Sequence, residues 1–130
     1  MSEATQESCM LCGMNESPLR NQSFAFAIRI VKVYQFLCEA RREFTMSKQL
    51  LRSGTAVGAL VREAQRAESK ADFAHKIAIA HKEADESAYW IELLQATAYL
   101  TPEQAQSLLA DCEALIKMLS STRKTTRYNP

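Results

Sequence analysis

The chain has 130 residues and a formal net charge of +1, with 47% hydrophobic and 24% charged positions. This balance is typical of one soluble domain with a single core and excludes a disordered chain. Only three glycines and three prolines occur, which is too few turn-forming residues for an all-β chain. No stretch approaches the roughly 20 apolar residues that cross a bilayer, and the N-terminus lacks both a basic start and an apolar signal core. We therefore expect an all-α cytoplasmic protein.

The first residues differ from the rest of the chain. Residues 1–20 carry charged side chains without a helical period, so we expect them to form a mobile N-terminal extension. Cys9 and Cys12 resemble half a zinc knuckle, but no second Cys/His pair follows at a usable spacing. No metal site and no cofactor are therefore predicted. Cys38 and Cys112 lie on apolar helix stripes, where a reduced cysteine acts as a small hydrophobic residue.

The first predicted helix, over about residues 23–43, is apolar on two sides. Its apolar residues form two rows at helical spacing: Phe24, Ile28, Val31 and Cys38 in one, and Phe26, Ile30, Val33, Leu37 and Ala40 in the other. The polar strip that remains is narrow. A helix of this kind is usually buried on both sides, so we expect it to contact its own bundle and also another copy of the chain.

The second predicted helix, over about residues 46–67, contains a run of small residues. Its bundle seam has spacings of four, three, four and three residues and consists of Leu50, Gly54, Val57, Val61 and Ala64. A glycine inside a helix costs about 1 kcal/mol relative to alanine. Gly54 and Gly58 lie four residues apart on one face, so we expect another helix backbone to pack closely there. Replacing either one with leucine should disrupt folding or assembly.

Capping signals mark the start of the third and fourth predicted helices. Ser69 is followed three residues later by Asp72, and Thr101 is followed by Pro102 and Gln104, which are typical N-terminal patterns. The fourth helix is expected to fray after about residue 119, leaving a basic C-terminal tail at residues 122–130. The inward-facing residues are predicted to be Phe73, Ile77, Ala80, Ala84, Ala88, Ile91 and Leu94 in the third helix, and Ala105, Leu108, Leu109, Cys112, Leu115, Ile116 and Leu119 in the fourth.

Short connections between these helices indicate that successive helices are antiparallel. The sequence therefore predicts an up-down-up-down four-helix bundle over residues 21–121.

Charges are unevenly distributed along the chain. Residues 20–52 contain seven basic and two acidic side chains, whereas residues 83–113 contain seven acidic and no basic ones. These charges can be satisfied within one bundle or between neighbouring subunits, and we expect a mixture of both. Within the bundle, Arg52 is predicted to form an ion pair with Glu83 or Glu86. The alternative is that these charges are solvated and contribute under about 1 kcal/mol.

Residues 49–90, in the second and third predicted helices, carry a resemblance to a known family. The run QLLRSGTAVGA at residues 49–59 is followed by Glu63-Ala64, the segment 69–73, Ile79-Ala80, the segments 82–84 and 86–87, and Tyr89-Trp90. In this order the pattern resembles the four-helix-bundle proteins encoded within intervening sequences of bacterial 23S ribosomal RNA genes. The resemblance covers roughly residues 23–120, which makes it far more specific than any single motif.

The resemblance implies a small non-enzymatic protein that assembles into a barrel-like ring of five bundles. Accessory proteins of diversity-generating retroelements are similar in shape, and they bind nucleic acid and a reverse transcriptase. One position departs from the family's pattern. Leu60 stands where the family usually has an asparagine, so a role of that asparagine is not carried over to this chain.

Three basic clusters are candidates for nucleic-acid binding. The residues that we predict to contact phosphates are Arg41, Arg42, Lys48, Arg62, Arg66, Lys70, Arg123, Lys124 and Arg127. A nearly neutral monomer would bind phosphates weakly, but a ring repeats each cluster and becomes multivalent. We therefore predict a homopentamer that binds RNA or an RNA-protein complex as a scaffold. The alternative is a purely structural oligomer, or an adaptor for a protein partner, that binds no nucleic acid.

Aromatic residues give this interpretation no further support. Those at helical spacings suited to packing are Phe24, Phe26, Phe36, Phe73, Tyr89 and Trp90, and most are predicted to lie in the core. Tyr34, Tyr99 and Tyr128 are candidates for exposure, but they do not alternate with arginines as in a platform that stacks single-stranded bases.

An enzyme is not predicted. A di-iron bundle uses paired Glu-x-x-His motifs from two helices, whereas this chain has a single Asp72-x-x-His75 and no equivalent before His81. There is no nucleophile elbow and no glycine-rich phosphate loop. No catalytic residue and no small-molecule substrate are assigned.

Overall fold

The protein folds as four helices in the computed structural model, which describes residues 17–128. They are α1 (Pro18–Glu39), α2 (Met46–Gln65), α3 (Lys70–Ala96) and α4 (Pro102–Tyr128). No strand occurs among residues 17–128, and the all-α prediction is confirmed. The segment 1–16, which holds most of the predicted N-terminal extension together with Cys9 and Cys12, lies outside the described residues.

Helix α1 begins earlier than predicted. The Ser17 hydroxyl accepts a hydrogen bond from the backbone N–H of Arg20 at 3.0 Å, and Pro18 occupies the first helical turn. A serine cap followed by proline suits a helix start because proline has no N–H to leave unpaired. The start near residue 23 was therefore wrong, since the prediction relied on apolar spacing and overlooked this cap.

Helix α1 also ends before the predicted residue 43. Its last helical residue is Glu39, and Arg42 adopts a left-handed backbone with φ of 55°. The N–H of Glu43 then donates to the Leu37 carbonyl at 2.9 Å, a closure typical of helix C-termini. No glycine occupies the left-handed position, so the usual sequence signal for this ending is missing.

The capping predictions for α3 and α4 are confirmed. Ser69 accepts a hydrogen bond from the Asp72 N–H at 3.0 Å. Thr101 and Gln104 cap each other, because each side chain accepts from the other residue's backbone N–H, at 3.1 and 2.9 Å. These two starts are set by local hydrogen bonds, which explains why the sequence predicts them well.

Helix α4 continues to Tyr128 instead of fraying after residue 119. The Thr122 hydroxyl donates to the Met118 carbonyl, and the Thr126 hydroxyl donates to the Thr122 carbonyl, both at 2.9 Å. These bonds show that the threonine hydroxyls point back along the helix instead of forming a competing local turn. The start of the basic segment at 122–130 is therefore helical.

The core lies where α2 packs against α1 and α3, and where α4 packs against α3 and, over a smaller area, α1. The predicted seam of α2 is buried. The predicted inward residues of α3 and α4 are fully or partly buried. In α1 the row that contains Phe26, Ile30 and Leu37 enters the core. Leu60 is half-buried against the same core.

The other apolar row of α1 remains exposed in the single chain. Phe24 is 53% exposed, Ile28 44% and Val31 39%. Phe36 and Tyr89 are also exposed, so the expectation that these aromatic residues and Phe24 lie in the core is wrong for the isolated bundle. Their helical spacing is compatible with packing, but the core of one chain is filled by the opposite row.

The small-residue face of α2 allows close packing inside the bundle. A Cβ atom at Gly54 would lie 2.8 Å from Cγ1 of Ile30, whereas one at Gly58 would lie 3.4 Å from the Ser23 carbonyl oxygen. The neighbour is thus α1 of the same chain. On the other side of α2, the buried hydroxyls of Ser53 and Ser87 share a hydrogen bond of 2.9 Å.

None of the helices described here, from Pro18 to Tyr128, has the length and apolar character needed to span a bilayer.

Candidate nucleic-acid interface

Arg52 contacts both glutamates proposed as its partners. Its guanidinium nitrogens lie 3.2 Å from Glu83 Oε1 and 2.5 Å from Glu86 Oε2. Trp90 Nε1 donates to the same Glu86 oxygen at 3.0 Å. The cluster links α2 to α3 beside the small-residue face.

Hydrogen bonding sets the protonation of this cluster. The bond from Trp90, followed by the bond from Arg52, lowers the pKa of Glu86 below its ordinary value. The bond to Glu86 is the main reason that the pKa of Arg52 is raised. The Arg52 side chain is 50% exposed, so solvent screening limits the pair to about 1 kcal/mol or less. The cluster therefore links α2 to α3 through partly exposed ion pairs.

A second ion pair joins the basic and acidic halves of the chain. Arg29 Nη1 lies 2.6 Å from Asp111 Oδ2 and also donates to the Ser107 carbonyl, while Nη2 donates to the Ser107 hydroxyl. Part of the charge asymmetry is therefore satisfied within one bundle, between α1 and α4. The sequence pattern indicated that the two halves would pair but did not identify this partner.

At one end of the bundle, two of the predicted phosphate-binding arginines make contacts within the chain. This loop end is formed by the α1–α2 and α3–α4 connections. Arg41 donates to the Ala98 carbonyl at 2.6 Å and lies over the Tyr99 ring. Arg42 lies over the Phe44 ring, and Lys48 is exposed. Arg41 therefore fastens the two connections together.

The opposite end, which we term the pocket end, holds an apolar cavity of about 540 Å³. All four helices contribute to it: the start of α1, the end of α2, the start of α3 and the second half of α4. Its apolar lining includes Leu19, Val61, Phe73, Ile77 and Met118. A cavity of this size and lining lies within the range of about 300–1,000 Å³ that is typical of ligand sites.

Hydrogen bonds fix one wall of this apolar cavity. Arg20 Nη1 donates to the Gln65 side-chain oxygen at 3.0 Å, and the Gln65 amide donates to the Ser17 hydroxyl at 3.1 Å. The cap of α1 is thereby tied to the last residue of α2 at the wall of the cavity.

A basic cavity of about 370 Å³ adjoins the apolar one. It is lined by Lys117, Lys124, Ser120, Ser121 and His81, together with Ile116. Arg123 lies next to it, with Nη1 at 3.1 Å from His81 Nδ1. Two ammonium groups and two hydroxyls can donate hydrogen bonds to a phosphate.

The remaining predicted phosphate-binding residues are distributed around the pocket end. Arg62 is exposed and lies over the Phe24 ring of α1. Arg66 and Lys70 are exposed at the α2–α3 connection, and the side chain of Arg127 lies outside the described residues. Two predicted clusters therefore come to the same end of the molecule. The sequence could not show this convergence, because the two clusters are about 50 residues apart.

Of the two cysteines in the described part of the chain, Cys112 is buried and Cys38 is half-buried. Among residues 17–128, no group of three or more His, Cys, Asp or Glu side chains is arranged to hold a metal ion. Burial, followed by the nearby Asp85 charge, raises the pKa of the Cys112 thiol to about 12. The Cys112 thiol donates to the Ala84 carbonyl at 3.2 Å and thus remains protonated in the core.

Together these features define a small four-helix bundle with a basic end and an exposed apolar row along its first helix. The family model of the 23S rRNA-intervening sequence protein matches residues 16–121. The chain belongs to this family, as the resemblance in its sequence predicted.

A solved structure supports the same fold. The chain is 50% identical to a protein of unknown function from the S23 ribosomal protein family of Bacteroides thetaiotaomicron VPI-5482, with a TM-score of 0.81. The alignment covers 82% of this chain and 95% of that protein. Comparison with curated proteins finds no match.

Proposed function

We propose that this protein is a non-catalytic, cytoplasmic scaffold that binds RNA, or an RNA-protein complex, as a ring of five bundles. The observation that carries the RNA proposal is the convergence of two basic clusters on the pocket end. Arg62, Arg66 and Lys70 approach it from the α2–α3 connection, and Lys117, Arg123 and Lys124 from α4. The family, whose name refers to an intervening sequence in 23S rRNA, supports a role near RNA.

The proposed arrangement within each bundle is up-down-up-down. Two contacts support it: Arg20 near the start of α1 bonds to Gln65 at the end of α2, and the Cys38 sulfur near the end of α1 lies 3.9 Å from the Ser47 hydroxyl near the start of α2. Short connections between successive helices favour the same arrangement for α3 and α4.

Assembly is proposed to occur through α1 and the adjoining surface of α2. The exposed row of Phe24, Ile28 and Val31 is the kind of contiguous apolar surface that usually marks an interaction site. Arg62 of α2 borders this row because it lies over Phe24. Copies arranged head to tail around a closed ring would bury the row in every subunit.

Salt-dependent RNA binding tests the proposal. The wild-type protein should bind a fluorescently labelled structured RNA in an anisotropy assay, and the logarithm of its affinity should fall linearly with the logarithm of salt concentration. Arg66→Gln combined with Lys70→Gln should reduce this slope, whereas Lys32→Gln on α1 should leave it unchanged. Absence of binding at low salt would exclude the RNA proposal.

The second candidate function is a structural oligomer or protein adaptor without nucleic-acid binding. Two observations favour it: the net charge is only +1, and Arg41, Arg42 and Arg62 all make contacts within the chain. Under this function the protein would still assemble through α1, but RNA would not bind at any salt concentration.

A further inference from the structure

The two cavities at the pocket end share a wall. Lys117 and Ser121 line both of them. On one side of this wall the lining is apolar and includes an aromatic ring, and on the other side it is cationic and rich in hydroxyls. A ligand that spans the wall would therefore join an apolar group to an anion.

We propose that this double cavity binds one unpaired nucleotide of an RNA. The base enters the apolar cavity against Phe73, and the phosphate enters the basic cavity against Lys117 and Lys124. The inference rests on the proposed RNA-binding function and names the part of the RNA that the protein recognises.

The apolar cavity suits a nucleobase. Phe73 is half-buried at its wall, which leaves part of the ring surface facing the cavity. Unstacked RNA bases are commonly held against aromatic side chains, and this stacking tolerates any base. Met118 adds a polarizable thioether that can adapt to a flat ring.

The basic cavity suits a phosphate. Lys117, Ser121 and Lys124 follow one another at spacings of four and three residues, so they lie on one face of α4. The two ammonium groups can only donate hydrogen bonds, and the Ser121 hydroxyl can donate one as well. The hydrogen bond between Arg123 and His81 Nδ1 holds a third cation beside the cavity. Asp85 Oδ2 lies 3.9 Å from His81 Nε2, and Lys117, Lys124 and Arg123 place three positive charges in and beside the cavity.

Two single lysine variants test the phosphate half. Binding of a fluorescein-labelled single-stranded RNA octamer should weaken about fivefold in Lys117→Gln and in Lys124→Gln, because each removes a phosphate contact and its counterion release. Both side chains are exposed, so the melting temperature should not change. The matched control is Lys32→Gln, an exposed lysine on α1, which should change the affinity less than about twofold.

An abasic RNA tests the base half. An octamer with the same phosphates but no bases should bind the wild-type protein about fivefold or more weakly than the intact octamer. Thr122→Phe places a ring in the apolar cavity and should remove most of this difference while preserving the salt dependence. Should that variant not fold, the comparison of the two RNAs on the wild-type protein remains decisive.

The outcomes separate this inference from the proposed function. Salt-dependent RNA binding that is equal for intact and abasic octamers, with both lysine variants indistinguishable from Lys32→Gln, would overturn the nucleotide site and leave RNA binding in place. Binding of free adenosine monophosphate is the second measurement that separates the two proposals. If it binds in a Lys117-dependent manner while no RNA binds, the double cavity is supported and its RNA occupant is excluded. If neither binds, both proposals are wrong.

Discussion

Glu43 shows how one carboxylate can begin a helix without occupying the usual cap position. Its Oε2 accepts from the N–H groups of Thr45 and Met46 at 3.1 and 3.0 Å, and its Oε1 accepts from the Ser47 N–H at 2.7 Å. A carboxylate also favours the positive end of the α2 dipole. Burial by itself raises the pKa of Glu43, but the three backbone donors outweigh it and leave the pKa below its ordinary value.

Glu43→Gln should lower the free energy of unfolding by about 1–2 kcal/mol at neutral pH, because the amide keeps one neutral acceptor oxygen and places an NH₂ group, which cannot accept, against the remaining backbone donors. Because the pKa of Glu43 is lowered in the folded state, its carboxylate stabilises the wild-type protein fully above the ordinary glutamate pKa of 4.5. This extra stability is lost as pH falls through the folded-state pKa. Urea unfolding at pH 7 and at pH 3 would measure this. The control is Glu39→Gln at the exposed end of α1, which should change the free energy of unfolding little. If wild type were more stable than Glu43→Gln by the same amount at both pH values, the cap assignment would be contradicted.

The two glycines of α2 differ in the space around them, although they occupy similar positions in the sequence. At Gly54 an added Cβ would lie 2.8 and 2.9 Å from the two γ carbons of buried Ile30. At Gly58 its nearest neighbour would be an oxygen 3.4 Å away, which is an ordinary contact. The sequence alone does not distinguish the two glycines, because a spacing of four residues shows only that they share a face.

Gly54→Ala should destabilise the protein by roughly 1 kcal/mol or more, because overpacking of about 1–3 kcal/mol exceeds the helix propensity gained. Gly58→Ala should be neutral or stabilising by up to about 1 kcal/mol. The melting temperatures of the two variants, each compared with wild type, would check both predictions. Equal destabilisation by both substitutions would show that the close contact extends along the whole face.

At the scale of the element, α1 presents one row to the core and another to solvent. Replacing Phe24 and Ile28 with serine should disrupt assembly and leave the fold intact, because these side chains are 53% and 44% exposed. Native mass measurement should then report a single chain of 14.6 kDa in place of the oligomer. Tyr89→Ser on α3 removes a similarly exposed aromatic residue and should leave the oligomer unchanged. A wild-type protein that is itself a monomer would exclude the assembly proposal.

How well a helix boundary could be predicted depends on the range of the interactions that set it. The starts of α3 and α4 are encoded within four residues and were predicted correctly. The end of α1 depends on a left-handed Arg42, which carries no glycine signal, and its start depends on a serine-proline cap outside the apolar pattern. Periodicity identified both rows of α1, but only the packed chain shows which row enters the core.

At the scale of the whole molecule, the candidate site could be predicted only in pieces. Basic clusters are visible in the sequence, yet the double cavity requires side chains from four helices and appears only when they meet. Arg41 gives a second example. Its basic cluster predicts phosphate binding, and the packed chain adds a contact that the sequence does not show, from its guanidinium to the Ala98 carbonyl at the loop end.

Assembly and RNA binding should be coupled through multivalency. In a ring each pocket end is repeated, so a long RNA can occupy several copies while an octamer occupies one. The Phe24→Ser and Ile28→Ser double variant keeps the cavity residues but loses neighbouring subunits. Its affinity for a long structured RNA should therefore fall by about tenfold or more, while its affinity for the octamer changes little. Anisotropy titrations with both RNAs at one salt concentration would measure the two effects. An equal loss for both RNAs would mean that α1 itself contacts RNA, and no loss for either would mean that each bundle binds independently of the ring.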